Sequence, residues 1–562
     1  MGRGFFVGAS SVLLSCTLLW PSAVRASAVY EIQLPQVFLE GISYDLTVSS
    51  PAAEHTATSQ PTPLLRVNDF PYTPSRSDGE WIFNDVVVTG TGAAVVSLEI
   101  SGEVVQQTEV SGIPAWVSIL PPLVAIGMAL LIRSVLPALM LGLWLGAWAL
   151  EGLTAKGLFT GLFTSFEVYV ANAVADYDHA TIMLFTFMIA GMVGVISRNG
   201  GMRGIVEWII TGANSAKRGQ LAVWSLGLLI FFDDYSNTLV VGNTSRSITD
   251  RLRISREKLA YLVDSTAAPL ATVALVTTWI GYQVSLIGDA IAPLDDLTMS
   301  PYSIFLNSIL YSFYPFMAIL LVVLVITTGR EFGPMLAAER RARSTGVTAP
   351  PVKSRVGQDD EAALAMKEGV PPRAFNALIP VAVMIVGILV GLYVTGEGDT
   401  IGEIVGSANS YRALMWASLA GALVAIVMTA AQRLLTLDEI VDGWVSGARF
   451  TFIAMIILVL AWSMSEISRE LHTADFLIAS LGDTLPAAAL PAVIFVLAAF
   501  TAFSTGSSWG AMGILMPLVL PLCWAIMGME GLTADKDYFI LYSSVSGVLA
   551  GAVWGDHCSP IS

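Results

Sequence analysis

Asp233 and Asp234 stand side by side in "FFDDYSN" (231–237), directly after the fourteen uncharged residues 219–232. A carboxylate at the centre of a bilayer costs roughly 2.5–3.5 kcal/mol on insertion scales, so a pair in apolar sequence asks for a use. Asp264 and Asp556 also lie in or beside apolar stretches. Four such acids would cost on the order of 10 kcal/mol together, comparable with the net stability of a whole domain. Their neighbours are rich in oxygen. Ser236, Asn237 and Thr238 follow the pair, Ser265 and Thr266 follow Asp264, and His557 and Ser559 follow Asp556. A second polar break in apolar sequence carries Ser504, Thr505, Ser507 and Ser508. Hydroxyl, amide and carboxylate oxygens, with unwound backbone carbonyls, are what a hard cation takes as ligands. Adjacent carboxylates at low dielectric repel, so one of them favours holding a proton. Such a place holds either a proton or a sodium ion. The plainer reading puts these acids at membrane interfaces or against Arg and Lys.

Other chemistries find little support. Only four His are present, and Cys16, Cys523 and Cys558 are scattered, which gives neither a soft-metal site nor a disulfide framework. No GxxxxGK[ST] phosphate loop occurs, which argues against an ATP-driven pump. The formal charge of −16 leaves no basic face for nucleic acid. Single glycines such as Gly242, Gly510 and Gly513, and Trp279, Trp509 and Trp554, read as packing residues. No cofactor is called for. The expected partners are a small cation, the lipid bilayer and, as one option, a second copy of the chain in a homodimer.

The elements that must hold these residues are membrane helices. The chain of 562 residues is 55% hydrophobic and 13% charged, against about 25% charged in soluble domains. Its mean hydropathy is +0.70. Candidate spans, near the ~20 residues a crossing helix needs, are 115–132, 134–151, 180–197, 260–288, 302–328, 374–396, 411–432, 449–467 and 538–555. Two further apolar stretches, 219–247 and 487–527, are interrupted by the polar breaks. Ahead of them, residues 1–28 have the basic start, apolar run and Ala26-Ser27-Ala28 ending of a signal peptide. Residues 29–112, with "YEIQLPQVFLEGISYDLTVSS" and "WIFNDVVVTGTGAAVVSLEISGEVVQQTEV", alternate in short apolar runs and predict a small β-rich extracytoplasmic domain without site residues. Residues 329–373, including "ERRARSTGVTAPPVKSRVGQDDEAA", read as a polar cytoplasmic loop between two transmembrane repeats, 113–328 and 374–562.

The repeats show in the sequence itself. Ile196-Ser197-Arg198 recurs 271 residues later as Ile467-Ser468-Arg469, and the same gapless offset sets Ser236 on Ser507 and Gly242 on Gly513. The polar break of one half therefore falls on that of the other, and paired breaks of this kind point to a transporter's binding site. Lys and Arg collect in 198–218 and 246–258, on both sides of 219–247, whereas 289–301 and 397–410 carry acids and no Lys or Arg. By the positive-inside rule 219–247 enters and leaves on the cytoplasmic side, as a re-entrant hairpin with Asp233 and Asp234 near its tip. An odd number of crossings per half makes the repeats inverted. The expected fold is a polytopic α-helical membrane protein of two inverted repeats with re-entrant or broken helices, in the plasma membrane rather than an endomembrane.

The stretches 231–283, from "FFDDYSNTLVVGNTSRSITD" to "VALVTTWIGYQ", 503–521, "FSTGSSWGAMGILMPLVLP", and 551–562, "GAVWGDHCSPIS", resemble the NhaC-like sodium/proton antiporter family. The resemblance covers most of 116–562 and none of the β-rich segment. It implies a secondary transporter moving by rocking or elevator motion. It also implies a site on Asp233, Asp234, Asn237, Asp264, Thr505, Ser507, Asp556 and His557. In the wider ion-transporter group a Ser-Asn-Thr motif marks the ion site. Ser236-Asn237-Thr238 matches it, whereas the partner break reads Ser507-Ser508-Trp509. In the family the chain continues past "GDHCSPIS", so this sequence looks truncated at Ser562. Sodium/proton exchange is the first functional expectation. The alternative is a sodium-coupled carrier or antiporter of an organic anion or amino acid, which would want a basic side chain in the site; Arg246 is the nearest. A membrane-anchored binding protein would leave the buried carboxylates unexplained.

Overall fold

The computed structural model describes residues 31–49, 62–77, 80–210, 213–292, 294, 297, 299–349, 365–481 and 485–559. The expected signal peptide lies outside them. The chain divides into two compact units, the first holding Ser43–Val87 and Ala94–Glu109, the second Val110 onward together with Pro35–Ile42 and Val88–Ala93.

The first unit is all β. In it β1 (Glu31–Ile32), β3 (Ser43–Ser49), β7 (Glu80–Val87) and β6 (Ser75–Ser77) form an antiparallel sheet in the order β1-β3-β7-β6. A second antiparallel set pairs β4 (Pro63–Val67) with β5 (Phe70–Tyr72) and β8 (Gly92–Ile100). Alternate residues of β3 and β8, such as Tyr44, Leu46, Val48, Val96 and Leu98, are buried, the period-two signature read from the sequence. In the second unit β2 (Val37–Leu39) runs parallel to Ser111–Ile113, the end of β9 (Glu103–Ile113).

The rest is helical. Among the described residues ten helices are long and apolar enough to cross a membrane, or eleven if a bent pair is counted as one span. The first half runs through α1 (Leu120–Ile132), α2 (Val135–Leu150), α3 (Ala155–Ala175, through a π-helical turn at Ser165–Val170), α4 (Tyr177–Arg198) and α5 (Gly201–Ile210). Then come α6 (Ala216–Leu229), α7 (Gly242–Arg251), α8 (Arg256–Val273), α9 (Thr278–Ile291), α10 (Pro301–Ile309) and α11 (Phe313–Thr328). After α12 (Gly333–Thr345), the second half has α13 (Phe375–Thr395), α14 (Ile401–Ser407), α15 (Ser410–Ala431), α16 (Leu437–Phe450), α17 (Phe452–Glu470) and α18 (Thr473–Leu481). It closes with α19 (Leu490–Thr505), α20 (Ser508–Met529) and α21 (Phe539–Cys558).

Three elements differ from the sequence expectation. The stretch 260–288 is not one continuous helix: α8 and α9 meet at a 44° bend. Helix α3 was not expected, because Lys156 and Glu167 dilute its apolar run to a mean hydropathy of 1.3. Its start packs on the end of α2, through Gly161 against Trp148, and Tyr169 near its end reaches Glu470. The expected loop 329–373 contains α12, a helix with Pro at its start and Gly346 in the left-handed region (φ 74°) at its end. Glu339 of α12 is buried and accepts hydrogen bonds from the Ser255 N–H and Oγ, both at 2.8 Å.

Contacts at the two ends of the helical unit establish direction. At the basic end the Lys367 N–H donates to the Arg198 carbonyl (3.2 Å) and Lys217 Nζ to the Thr327 carbonyl (2.9 Å). At the opposite end His179, Asp289, Pro301, Tyr411, Glu466 and Arg469 line one cavity. Helix α4 therefore runs toward the basic end and α17, its counterpart in the repeat, runs away from it. Arg198 and Arg469 close repeat-related tripeptides and lie at opposite ends. The two repeats are inverted.

The hairpins follow the same rule. Gly219 of α6 faces Leu252, and Ala222 packs with Ile248 of α7, so 219–252 returns to the end it entered. In the second half the Ala487 N–H donates to Glu530 Oε1 at 2.9 Å, joining the start of one arm to the end of the other. Pro517, Pro521 and Ala525 of that hairpin line a cavity with Asp289 and Arg469. One hairpin thus enters from the basic end and the other from the opposite end. In the second, both arms, 19 and 22 residues, are long enough to cross a membrane, against 14 residues in α6.

Candidate functional site

The first hairpin turns at residues 230–233, where the chain leaves α6 and restarts as a short helix, Asp234–Ser236, followed by a π-helical turn, Asn237–Val241. Asn237 fixes this break. Its Nδ2 lies 2.8 Å from the Gly227 carbonyl, 3.2 Å from that of Ile230 and 3.1 Å from that of Thr266, joining the tip to α8. The carbonyls of Gly227 and Ile230 are among those that the unwound end of α6 leaves without helical partners.

Asp233 is buried and meets the start of α9. Thr278 Oγ1 donates to Asp233 Oδ1 at 3.0 Å, and the Thr278 N–H donates to the Phe232 carbonyl at 3.0 Å. The α8–α9 bend places the positive end of a helix at a carboxylate. Asp234 is held differently. The Trp279 indole nitrogen lies beside it without completing a hydrogen bond, and its Oδ1 is buried with no partner among the described residues. Asn237 Oδ1 is likewise buried and without a partner.

The second tip is a tight turn. Gly506, at φ 62°, ends α19, and Ser507 caps α20 by accepting the Gly510 N–H at 3.2 Å. Thr505 Oγ1 turns back onto its own helix, 2.9 Å from the Thr501 carbonyl. Ser508 points outward from the turn: its Oγ donates to Asp556 Oδ2 at 2.6 Å. Asp556 Oδ1 is buried without a partner. The second hairpin meets α9 through aromatics. Tyr282 of α9 donates to the Trp509 carbonyl at 2.5 Å, and the rings of Trp279 and Trp509 lie 5.3 Å apart.

Across this contact the carboxylates gather. Tyr235 lies within electrostatic reach of Asp233, Asp234 and Asp556 together. Asp264 and His557 form the outer part of the cluster, with His557 Nε2 3.7 Å from Asp264 Oδ2 and its Nδ1 2.9 Å from the Tyr314 hydroxyl. The Asp264 side chain is 56% exposed and that of His557 9%, so the pair spans from the packed core to its edge. Thr238 is exposed and Ser504 half-buried, and neither donates to the buried oxygens; the Ser236 side chain lies outside the described residues. The arrangement breaks the gapless offset. By structure Asp233–Asp234, at the start of the returning arm, answer to Ser507–Ser508, three residues later than the sequence alignment sets them.

The family model of the Na+/H+ antiporter family matches residues 270–562, more than half of the chain. The chain belongs to that family. It is a secondary transporter and a multi-pass integral membrane protein. An uncharacterised protein of Haemophilus influenzae is 28% identical over 453 residues, covering 79% of this chain and 83% of its own. Among solved structures, the Alcanivorax borkumensis YdaH transporter is similar over 78% of this chain and 88% of its own, at 15% identity and a TM-score of 0.46. Neisseria gonorrhoeae MtrF, described as one of a class of antimetabolite efflux pumps, is similar over 71% and 74%, at 12% identity and a TM-score of 0.42.

The candidate site also includes Thr278, which sequence reasoning passed over, Trp279, which it read as packing, and Tyr235 and Tyr314, likewise passed over. One signal for the first two was available. Thr277-Thr278 interrupts "VALVTTWIGYQ" as the aspartates interrupt the hairpin.

Proposed function

We propose that this transporter exchanges sodium for protons at the carboxylate cluster between the two tips. The observation that carries the reading is the set of buried oxygens that complete no hydrogen bond among the described residues: Asp234 Oδ1, Asn237 Oδ1 and Asp556 Oδ1. A buried acceptor left unmade costs about 1–3 kcal/mol, more if charged. A proton or a hard cation relieves that cost, and the two compete for the same oxygens. A sodium ion arriving at the carboxylates favours their ionised form and expels the proton; a proton arriving from the other side expels sodium. Asp233, already bonded by Thr278, anchors the tip beside them. Ser508, Asp264 and His557 extend the polar surface. Opposed hairpins suit alternating access, because each tip closes the path from one end. The plasma membrane is the expected site of action. The test is purified protein in liposomes, with internal pH followed after a sodium pulse. Sodium-dependent proton movement that persists without other solutes supports exchange; sodium uptake that needs an organic anion or amino acid overturns it.

A further inference from the structure

Away from the carboxylate cluster, at the end opposite the basic flanks, lies a cavity of about 560 Å³. His179 stands on its wall, 14% exposed, with its ring stacked on Trp462 at 3.7 Å and 4°. Its Nδ1 is 2.8 Å from the Ala173 carbonyl and its Nε2 is 3.2 Å from Asp289 Oδ1. A carbonyl only accepts, so Nδ1 carries a hydrogen. In a neutral ring that leaves a lone pair on Nε2, facing a carboxylate oxygen. The contact is bonding only with one more proton, on Nε2 or on Asp289. Nothing else stands in for it: Asp289 Oδ2 is buried and has no partner among the described residues.

That proton ties three helices together. His179 starts α4, Asp289 ends α9, and Trp462 belongs to α17. Trp462 Nε1 in turn donates to Ser285 Oγ of α9 at 2.6 Å. Helices α4 and α17 are the inverted counterparts of the two halves, and α9 reaches the central site through Thr278. A charged imidazole stacked on an indole is also held by cation–π attraction, which a neutral ring loses. The other ionisable groups around His179 are Asp176 and Asp178 on its own helix start, Glu466, Arg469 and Glu470 of α17, Tyr411 of α15 and Tyr169 of α3. Asp176 is engaged by the backbone N–H groups of Asp178 and His179, both at 2.9 Å, and Tyr169 by Glu470.

We infer that His179, Asp289 and Trp462 form a proton-operated clamp at this mouth, closed when the His179–Asp289 pair holds its proton and released when it does not. It rests on the transport reading only in that the mouth serves the site between the tips. The clamp makes access from this side depend on the pH of this side.

The test reads access rather than transport. Ser465 borders this cavity. A Ser465→Cys variant without the native cysteines is labelled with a membrane-impermeant thiol reagent from about pH 5 to about pH 8.5, a range that straddles imidazole titration. Rates are divided by those in a His179→Ala background, which cancels titration of the thiol. With His179 and Asp289 intact the ratio is expected to rise about tenfold toward alkaline pH, the weight of one charge-assisted hydrogen bond. With Asp289→Asn, whose amide donates to a neutral imidazole, the ratio should stay low throughout. A ratio near one at every pH, or an unchanged rise in Asp289→Asn, overturns the clamp. Sodium/proton exchange is measured separately on the same proteins. Loss of the exchange reading with a normal labelling profile leaves the clamp standing, and the reverse result leaves exchange standing.

Discussion

The two hairpins perform one architectural task with different chemistry. The first has a loose tip: four residues outside helix, a short helix, a π-helical turn, and two carboxylates held from outside by Thr278 and near Trp279. The second has a tight tip: one left-handed glycine, a capping serine and no charge of its own. It reaches a carboxylate only by Ser508 touching Asp556 on the next helix. A loose, charged tip can re-form its oxygens around a proton or an ion, whereas a capped turn is rigid. The inverted repeat is therefore asymmetric at its breaks, and under the proposed exchange the first tip is the exchanging element and the second its lid.

The comparison breaks outright if the hairpins do not enter from opposite ends. Asn214→Cys and Arg251→Cys, at the base of the first, should label only from the basic side. Ala488→Cys and Met529→Cys, at the base of the second, should label only from the other. A base whose two cysteines label from opposite sides is a crossing helix, and the inversion then fails.

The next largest effect belongs to the charged tip. Asp234→Asn is expected to reduce sodium-driven proton release to the background of empty liposomes, and Asp233→Asn to weaken it strongly while sparing insertion. Each variant keeps the side chain's shape and removes a charge that is expensive in a membrane. Proton efflux across a series of sodium concentrations measures both. Near-normal exchange in both variants would return the pair to a structural role and remove the first tip's distinction.

How far this asymmetry was legible in the sequence depends on charge. Asp233, Asp234, Asp264 and Asp556 stood out because a carboxylate in an apolar run has no cheap explanation. Thr278 did not, because a helical threonine usually satisfies its hydroxyl on a carbonyl of its own helix, as Thr266 and Thr272 do here. Only the fold shows that the chain breaks before Thr278 and turns its hydroxyl to Asp233. Most of the spans and both polar breaks followed from hydropathy and from where Lys and Arg fall, whereas α3 and the α8–α9 bend did not. The register of the second tip did not, since three residues' shift costs nothing in a pattern of Ser, Thr and Gly. Helix α12 was hidden by its own charges, because Glu339 looks solvated in the sequence and is buried against Ser255 in the structure.

A middle effect sharpens the role of the lid. Ser508→Ala removes one hydrogen bond to a carboxylate, worth about 1.5–3 kcal/mol. If Asp556 holds the cation from the second half, the apparent affinity for sodium should fall roughly tenfold or more. Asp556→Asn should do more, approaching the loss expected of Asp234→Asn. Equal, small effects from both would confine the exchange chemistry to the first tip.

The smallest effect is expected at Thr238 and Ser504, the two oxygen-bearing tip residues that the fold does not bring to the buried acceptors. Thr238 is exposed on the first hairpin and Ser504 half-buried on the second. An exposed hydroxyl exchanges a protein contact for water with little change in free energy, and surface substitutions of this kind fall within about 0.5 kcal/mol. Thr238→Ala and Ser504→Ala should each leave the sodium dependence of exchange within about twofold of the parent, which is what that free energy allows. Thr238 is the more telling of the two, because it completes the Ser-Asn-Thr run that marked the first break. A large loss in Thr238→Ala would mean that the run turns in another state to face the ion, and that the loose tip moves further than its Asn237 anchor to Gly227, Ile230 and Thr266 allows here.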